Sequence, residues 1–165
     1  MKKFLALLAL LSAAAAIISI VTRVQARRRD AYGDEESDTF DLVVACEGRE
    51  FESRARSFAG GSLLVVCGGA DIDLRNARLD PMGAYLEVDC WLGGIEIIVP
   101  DNWRVLLNTH NYGGGAENQA EELSAGLPED APTLEIDARI GLGGLDIRPV
   151  GAPDEARAAT EQAPA

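Results

Sequence analysis

The sequence predicts a mainly β fold, a short stack of β-repeats (β-helix-like) placed behind an N-terminal transmembrane helix. Three observations carry this. A diglycine follows apolar residues and precedes an acid four times, as Val66-Cys67-Gly68-Gly69-Ala70-Asp71-Ile72, Trp91-Leu92-Gly93-Gly94-Ile95-Glu96-Ile97, Tyr112-Gly113-Gly114-Gly115-Ala116-Glu117 and Gly141-Leu142-Gly143-Gly144-Leu145-Asp146-Ile147. Self-similarity at this spacing is the mark of stacked units, each burying its apolar face against the next. The segments around the diglycines alternate apolar and polar residues, and Phe4 to Thr22 is almost wholly apolar.

Taken from the N-terminus, residues 1–29 read as a membrane anchor with basic flanks. About 19 helical residues cover close to 30 Å, the hydrocarbon thickness of a bilayer. A cleaved secretory signal is the competing reading, with Met1-Lys2-Lys3 as its charged start and Val24-Gln25-Ala26 as its cleavage site. The cluster Arg27-Arg28-Arg29 directly after such a cut favours the uncleaved anchor. Arg23 and Arg27–Arg29 outweigh Lys2 and Lys3, so a single-pass protein with a cytoplasmic β-domain is expected. Residues 30–39 hold five acids and little core material, which reads as a flexible acidic linker.

Residues 40–150 are expected to form the β-repeat domain. Leu86, Val88, Cys90 and Leu92 alternate with Glu87, Asp89 and Trp91, and Leu134, Ile136, Ala138 and Ile140 alternate with Glu135, Asp137 and Arg139. Further strand candidates are Phe40–Cys46, Glu50–Phe58, Ser62–Val66, Asp71–Leu74, Ile95–Val99, Arg104–His110 and Leu145–Arg148. Between them Gly68, Gly69, Gly93, Gly94, Gly114, Gly115, Gly143 and Gly144 are assigned as structural corners, because glycine permits positive φ and close backbone approach. An antiparallel sandwich is the structural alternative. Ala116 to Gly126 reads as an insertion between units, with one helical turn. Residues 151–165, rich in Ala, Pro and Glu, read as a disordered tail.

The charge is split. Residues 1–29 carry six basic side chains and no acid, and all 27 acids lie beyond them. An acidic domain is a poor partner for nucleic acid. Cys46, Cys67 and Cys90 lack metal or redox spacing and read as buried thiols, with a Cys67–Cys90 pair possible in an oxidising compartment.

The stretch from Gly68 to Val105 carries a Gly-Gly unit ending Asp73-Leu74-Arg75-Asn76-Ala77, then a second ending Val99-Pro100-Asp101-Asn102-Trp103. It resembles the LiaF-like C-terminal domain of cell-wall-active antibiotics response proteins. The resemblance implies a toast-rack β-fold tied to membrane segments and to envelope-stress signalling, with no catalytic residues to carry over.

The candidate chemistry is sparse. Asp71, Asp73, Glu87, Asp89, Glu96, Glu135, Asp137 and Asp146 could form acidic ladders, but the glycine that calcium-binding nonapeptide turns need before the acid is absent, so a solvated strand face is expected. His110 is the only histidine, and no nucleophile motif accompanies it. Strand-formers, not a helix, follow each diglycine, which argues against phosphate loops. Trp91 is expected to point outward and Trp103 to pack against a turn. The sequence therefore predicts no enzyme, metal or cofactor, but a membrane-anchored scaffold that binds a protein partner or itself, in bacterial envelope-stress response. The alternative is an exported, wall-facing module that binds carbohydrate. Strand edges at Phe40–Cys46 and Leu145–Val150 are the expected contact surfaces.

Overall fold

In the computed structural model, which describes residues 31–150, six strands form one sheet. They are β1 (Thr39–Glu52), β2 (Gly60–Asp73), β3 (Ala84–Val99), β4 (Arg104–Asn111), β5 (Gly115–Asn118) and β6 (Thr133–Pro149), with one short helix, α1 (Glu121–Gly126), after β5. The order across the sheet is β1-β2-β3-β6-β4, with β5 also beside β6. Every ladder is parallel, which overturns the antiparallel-sandwich alternative. The expected anchor of residues 1–29 and the expected tail of 151–165 lie outside the described residues.

The strand candidates prove to be halves of longer strands. Each long strand runs through its diglycine without interruption, so the glycines sit inside strands rather than between them. Their burial shows how. In β3, Ala84, Leu86, Val88 and Cys90 face inward before Gly93-Gly94, and Ile95, Ile97 and Val99 after it, so the buried set moves from even to odd positions. β6 does the same, with Leu134, Ile136, Ala138 and Ile140, then Leu145 and Ile147.

Such a phase change lets both arms of a strand face one core only if the strand folds back. It does. Phe40 and Phe51, both in β1, would lie about 36 Å apart on a straight strand at ~3.3 Å per residue. Their ring centroids are 5.0 Å apart. The sheet is thus folded along the glycine line, and the inward residues of both arms form one hydrophobic cluster. Each buried Leu, Ile or Val adds roughly 1.5–3 kcal/mol. Phe58, in the loop after β1, stacks on Phe40 and on Trp103, so Trp103 closes one end of the core.

Two further expectations change. Glu50–Phe58 is strand only as far as Glu52, beyond which the chain leaves the sheet. Ala116–Gly126 is not simply an insertion. β3 covers the other side of β6, so β4 and β5 must share one flank; together they make a fifth rung, broken at residues 112–114. That rung precedes β6 in sequence yet lies outside it. β6 supplies apolar inward residues to both arms and is buried between neighbours, whereas β4 runs out into Thr109, His110 and Asn111. Leu145–Val150 is accordingly no edge, since Leu145 and Ile147 pair with β3 and β5. Phe40–Cys46 does lie at an edge, in β1. Part of the acidic stretch before it is tied there, where Tyr32 and Asp41 exchange backbone hydrogen bonds of 2.8 and 3.0 Å.

Candidate functional site

The register draws the assigned corner glycines into two columns across the sheet. Gly68, Gly93 and Gly143 align in one, and Gly69, Gly94, Gly144 and Gly115 in the other. The columns are not equivalent. A Cβ on Gly93 would meet the Gly68 carbonyl oxygen at 1.8 Å, one on Gly68 the Glu47 oxygen at 2.0 Å, one on Gly143 the Gly93 oxygen at 2.2 Å and one on Gly114 the Gly143 oxygen at 2.3 Å. Gly68 and Gly93 also sit at φ of 122° and 148°, where a side chain is strained. In the second column, Gly94, Gly144 and Gly115 meet nothing within 4 Å. Gly48 of β1 completes this second column, opposite Gly69, and was not among the residues singled out from the sequence. Its signal was present: Gly48-Arg49-Glu50 repeats the glycine-x-acid spacing of the other rungs.

The acids two residues after that column also align, as Glu50, Asp71, Glu96, Asp146 and Glu117. Arg148 pairs with Glu96 at 3.3 Å and Asp146 at 2.7 Å, and Gln119 donates to Asp146 at 3.2 Å. On the other arm Glu87 and Asp137 share a register position, and Arg139 pairs with both Glu87 and Asp89. Asp73 is bound by Arg75, whose side chain holds its carboxyl below the usual range. Glu135 stands on the outer face beside Leu106. Among the described residues no group of three or more His, Cys, Asp or Glu could hold a metal ion.

Neither the cysteines nor His110 come together as a reactive group. Cys46 is exposed, Cys67 half-buried and Cys90 buried, and no disulfide joins them. Burial pushes the Cys90 thiol up, away from thiolate. Cys46 is the only described non-glycine residue at positive φ, 57°, where β1 bulges against β2. His110 lies exposed near the end of β4.

What the structure does assemble is apolar. Trp91 of β3 and Gly141 of β6 lie side by side, and Tyr112, just past the end of β4, joins them at the same level, its N–H donating to the Ile140 carbonyl at 2.8 Å. A Cβ on Gly141 would lie 2.9 Å from the Trp91 ring, so the missing side chain leaves room for that ring over β6. There it stacks with Tyr112, centroids 6.2 Å apart and planes 19° from parallel. Leu92 and Leu142 pair beside them, just before the glycines. All four stay in water: Trp91 is 46% exposed, Leu92 52%, Leu142 66% and Tyr112 71%. The alternation placed Trp91 outward correctly but set Leu92 on the buried face with Cys90. The exposure of Leu92 overturns that, because the inward set changes phase just there. The partners across β6 were not legible.

At the far end of the stack the core stays partly open. A cleft of about 550 Å³ runs along β4 toward α1, lined among others by Leu107, Thr109, Ala116, Glu121 and Glu135. Leu107 and Ala116 are only partly buried. Among the described residues the edge is capped at a single place, where the Ser124 hydroxyl accepts from the Val105 N–H at 3.0 Å and Asn118 donates to the Val105 carbonyl at 3.4 Å. Comparison with known proteins finds no matching family model, no matching curated protein and no matching solved structure.

Proposed function

We propose that this chain is a membrane-anchored, non-enzymatic interaction domain of the toast-rack kind, acting in bacterial envelope-stress response. The observation that carries the reading is the apolar ridge of Trp91, Leu92, Tyr112 and Leu142. A contiguous exposed patch containing Trp and Tyr is the composition of protein-binding hot spots. The Gly68–Val105 signature supports the assignment to the LiaF-like group, and the apolar run Phe4–Thr22 supports the anchor. Held at a membrane, the domain gains local concentration toward partners in the same bilayer.

A photo-crosslinking residue at Leu142 of the full-length chain in cells tests this. A covalent adduct with one protein, mass-spectrometrically identified and absent when the probe sits at exposed Glu122, is the expected result. No adduct from Leu142 or Tyr112, with or without envelope stress, sinks the reading.

The stacked Trp91–Tyr112 pair gives a second reading some support, that of an exported module binding wall carbohydrate, since sugars stack on aromatic faces. A reporter fused after Ala165 separates the two. A reporter active only outside the cell, together with quenching of Trp91 fluorescence by soluble wall oligosaccharides, would put carbohydrate first.

A further inference from the structure

In a parallel ladder, alternate residues turn both backbone groups to one neighbour and the residues between turn theirs to the other side. Arg104 donates to Pro132 and Tyr112 to Ile140, so the even residues of β4 face β6. The odd ones face away. Val105 is satisfied by Ser124 and Asn118, and Leu107, Thr109 and Asn111 have no hydrogen-bond partner among the described residues. Six backbone donors and acceptors therefore lie along this edge, those of Leu107 and Thr109 within the cleft. Behind them Leu107 and Ala116 form the half-open end of the core, which another inward apolar side chain would close. Glu121 of α1 and Glu135 of β6 flank the strand in the same cleft.

We propose that the β4 edge from Leu107 to Asn111 receives an extended, basic and apolar segment of another protein as a sixth rung. This deepens the interaction-domain reading and rests on it. Backbone pairing would supply affinity, and alternating side chains the selection: apolar toward Leu107 and Ala116, basic toward Glu121 and Glu135. A second copy fits poorly, because its complementary edge, β1, carries the bulge at Cys46, exposed Arg49 at a core-facing position and the Tyr32 bridge over Asp41. The chain's own tail, with Asp154, Glu155 and Glu161 against Arg157, has the wrong charge.

The test is amide hydrogen exchange on the purified full-length chain with a short capped peptide of alternating lysine and valine, and a glutamate–valine peptide as control. The lysine peptide should slow exchange at Leu107, Thr109 and Asn111 by about tenfold or more, the slowing expected when those amides become hydrogen-bonded. The glutamate peptide should not. Thr109→Pro removes a donor that faces only the free edge, so it should abolish the slowing at Leu107 and Asn111 while leaving the melting temperature within a few degrees. If that variant unfolds, Leu107→Arg, placing a charge in the cleft as Arg49 does at the other edge, replaces it. Binding that leaves these amides unchanged, or that survives a folded edge variant, overturns the proposal. So does a failure of the lysine peptide to bind. In any of these cases, persistent adducts from Leu142 would show that the interaction-domain reading still stands and that only the edge site is lost.

Discussion

The two edges of the sheet are finished differently. At β1 the bulge at Cys46, the outlying Arg49 and the Tyr32–Asp41 bridge all oppose the approach of another strand. At β4 the only caps among the described residues are the side chains of Ser124 and Asn118, both bonded to Val105, and none of those residues covers Leu107 to Asn111. An edge left bare on one side of an otherwise protected sheet marks the side where contact is permitted. The same rung that carries the bare edge also supplies Tyr112 to the apolar ridge, so both candidate surfaces meet at the outer end of the stack.

The strongest way to break the comparison is to remove the fold line that joins the edges. Gly93→Ala should cost about 3 kcal/mol or more, because the methyl has nowhere to go against the Gly68 carbonyl and φ is unfavourable. Gly94→Ala, one residue on, should stay within about 0.5 kcal/mol of the parent or gain slightly through the unfolded state. Urea unfolding of the pair measures the contrast; equal losses would show that the first column is not the tight one.

Ser124→Ala acts on the β4 edge alone. It leaves the Val105 N–H buried without an acceptor and removes the bond from Ser124 to the Ala120 carbonyl, a loss of about 1–3 kcal/mol. Exchange at Val105 should rise while Asp41 is unaffected, and a matching rise at Asp41 would mean that the edges are not independent.

On the other side, Arg49→Val removes the charge from β1. Stability should change by less than about 1 kcal/mol, but the chain should begin to self-associate head to tail, β1 on β4, as a non-closing contact. Sedimentation velocity at rising concentration reads this out. A variant that remains monomeric would show that the bulge and Tyr32 suffice without Arg49.

The smallest effect is expected from acid. Glu52, at the end of β1, is held below its ordinary 4.5 by its hydrogen bonds from Arg54 and Asn76. A depressed carboxylate contributes stability above its unfolded pKa, and that contribution fades as pH falls through the lower folded value. Protection of Phe51 and Ser53 should therefore weaken below about pH 4, a shift that Glu52→Gln should remove.

Much of this architecture was legible in residue order. Alternation in Leu86–Cys90 and Leu134–Ile140 identified the first arms, the diglycines marked one recurrent level, and Trp91 and Trp103 fell on the faces expected of them. What residue order did not disclose is lateral arrangement. Nothing local to Arg104–His110 says that β6 will intrude between it and β3, because that choice is made by comparing how much apolar surface each strand can bury. The folding back of each strand was equally hidden, since a change from even to odd inward positions reads as two strands until Phe40 and Phe51 are seen in contact. The fifth glycine-x-acid unit, at Gly48, escaped because it lacks the doubled glycine: Glu47 fills the first column at the edge, where no further rung crowds it.

The intrusion of β6 also orders events in time. β1, β2 and β3 can pair in the order in which they are synthesised, but β4 and β5 have no template until the C-terminal strand exists. In the finished sheet residues 104–118 have ladder partners only in Thr133–Pro149, a strand that is synthesised after them. A chain that stops short of β6 leaves β3, the most apolar flank of the early sheet, as a sticky margin. The rung proposed to meet a partner thus depends on a strand made after it, so that edge cannot be formed before β6 has been synthesised.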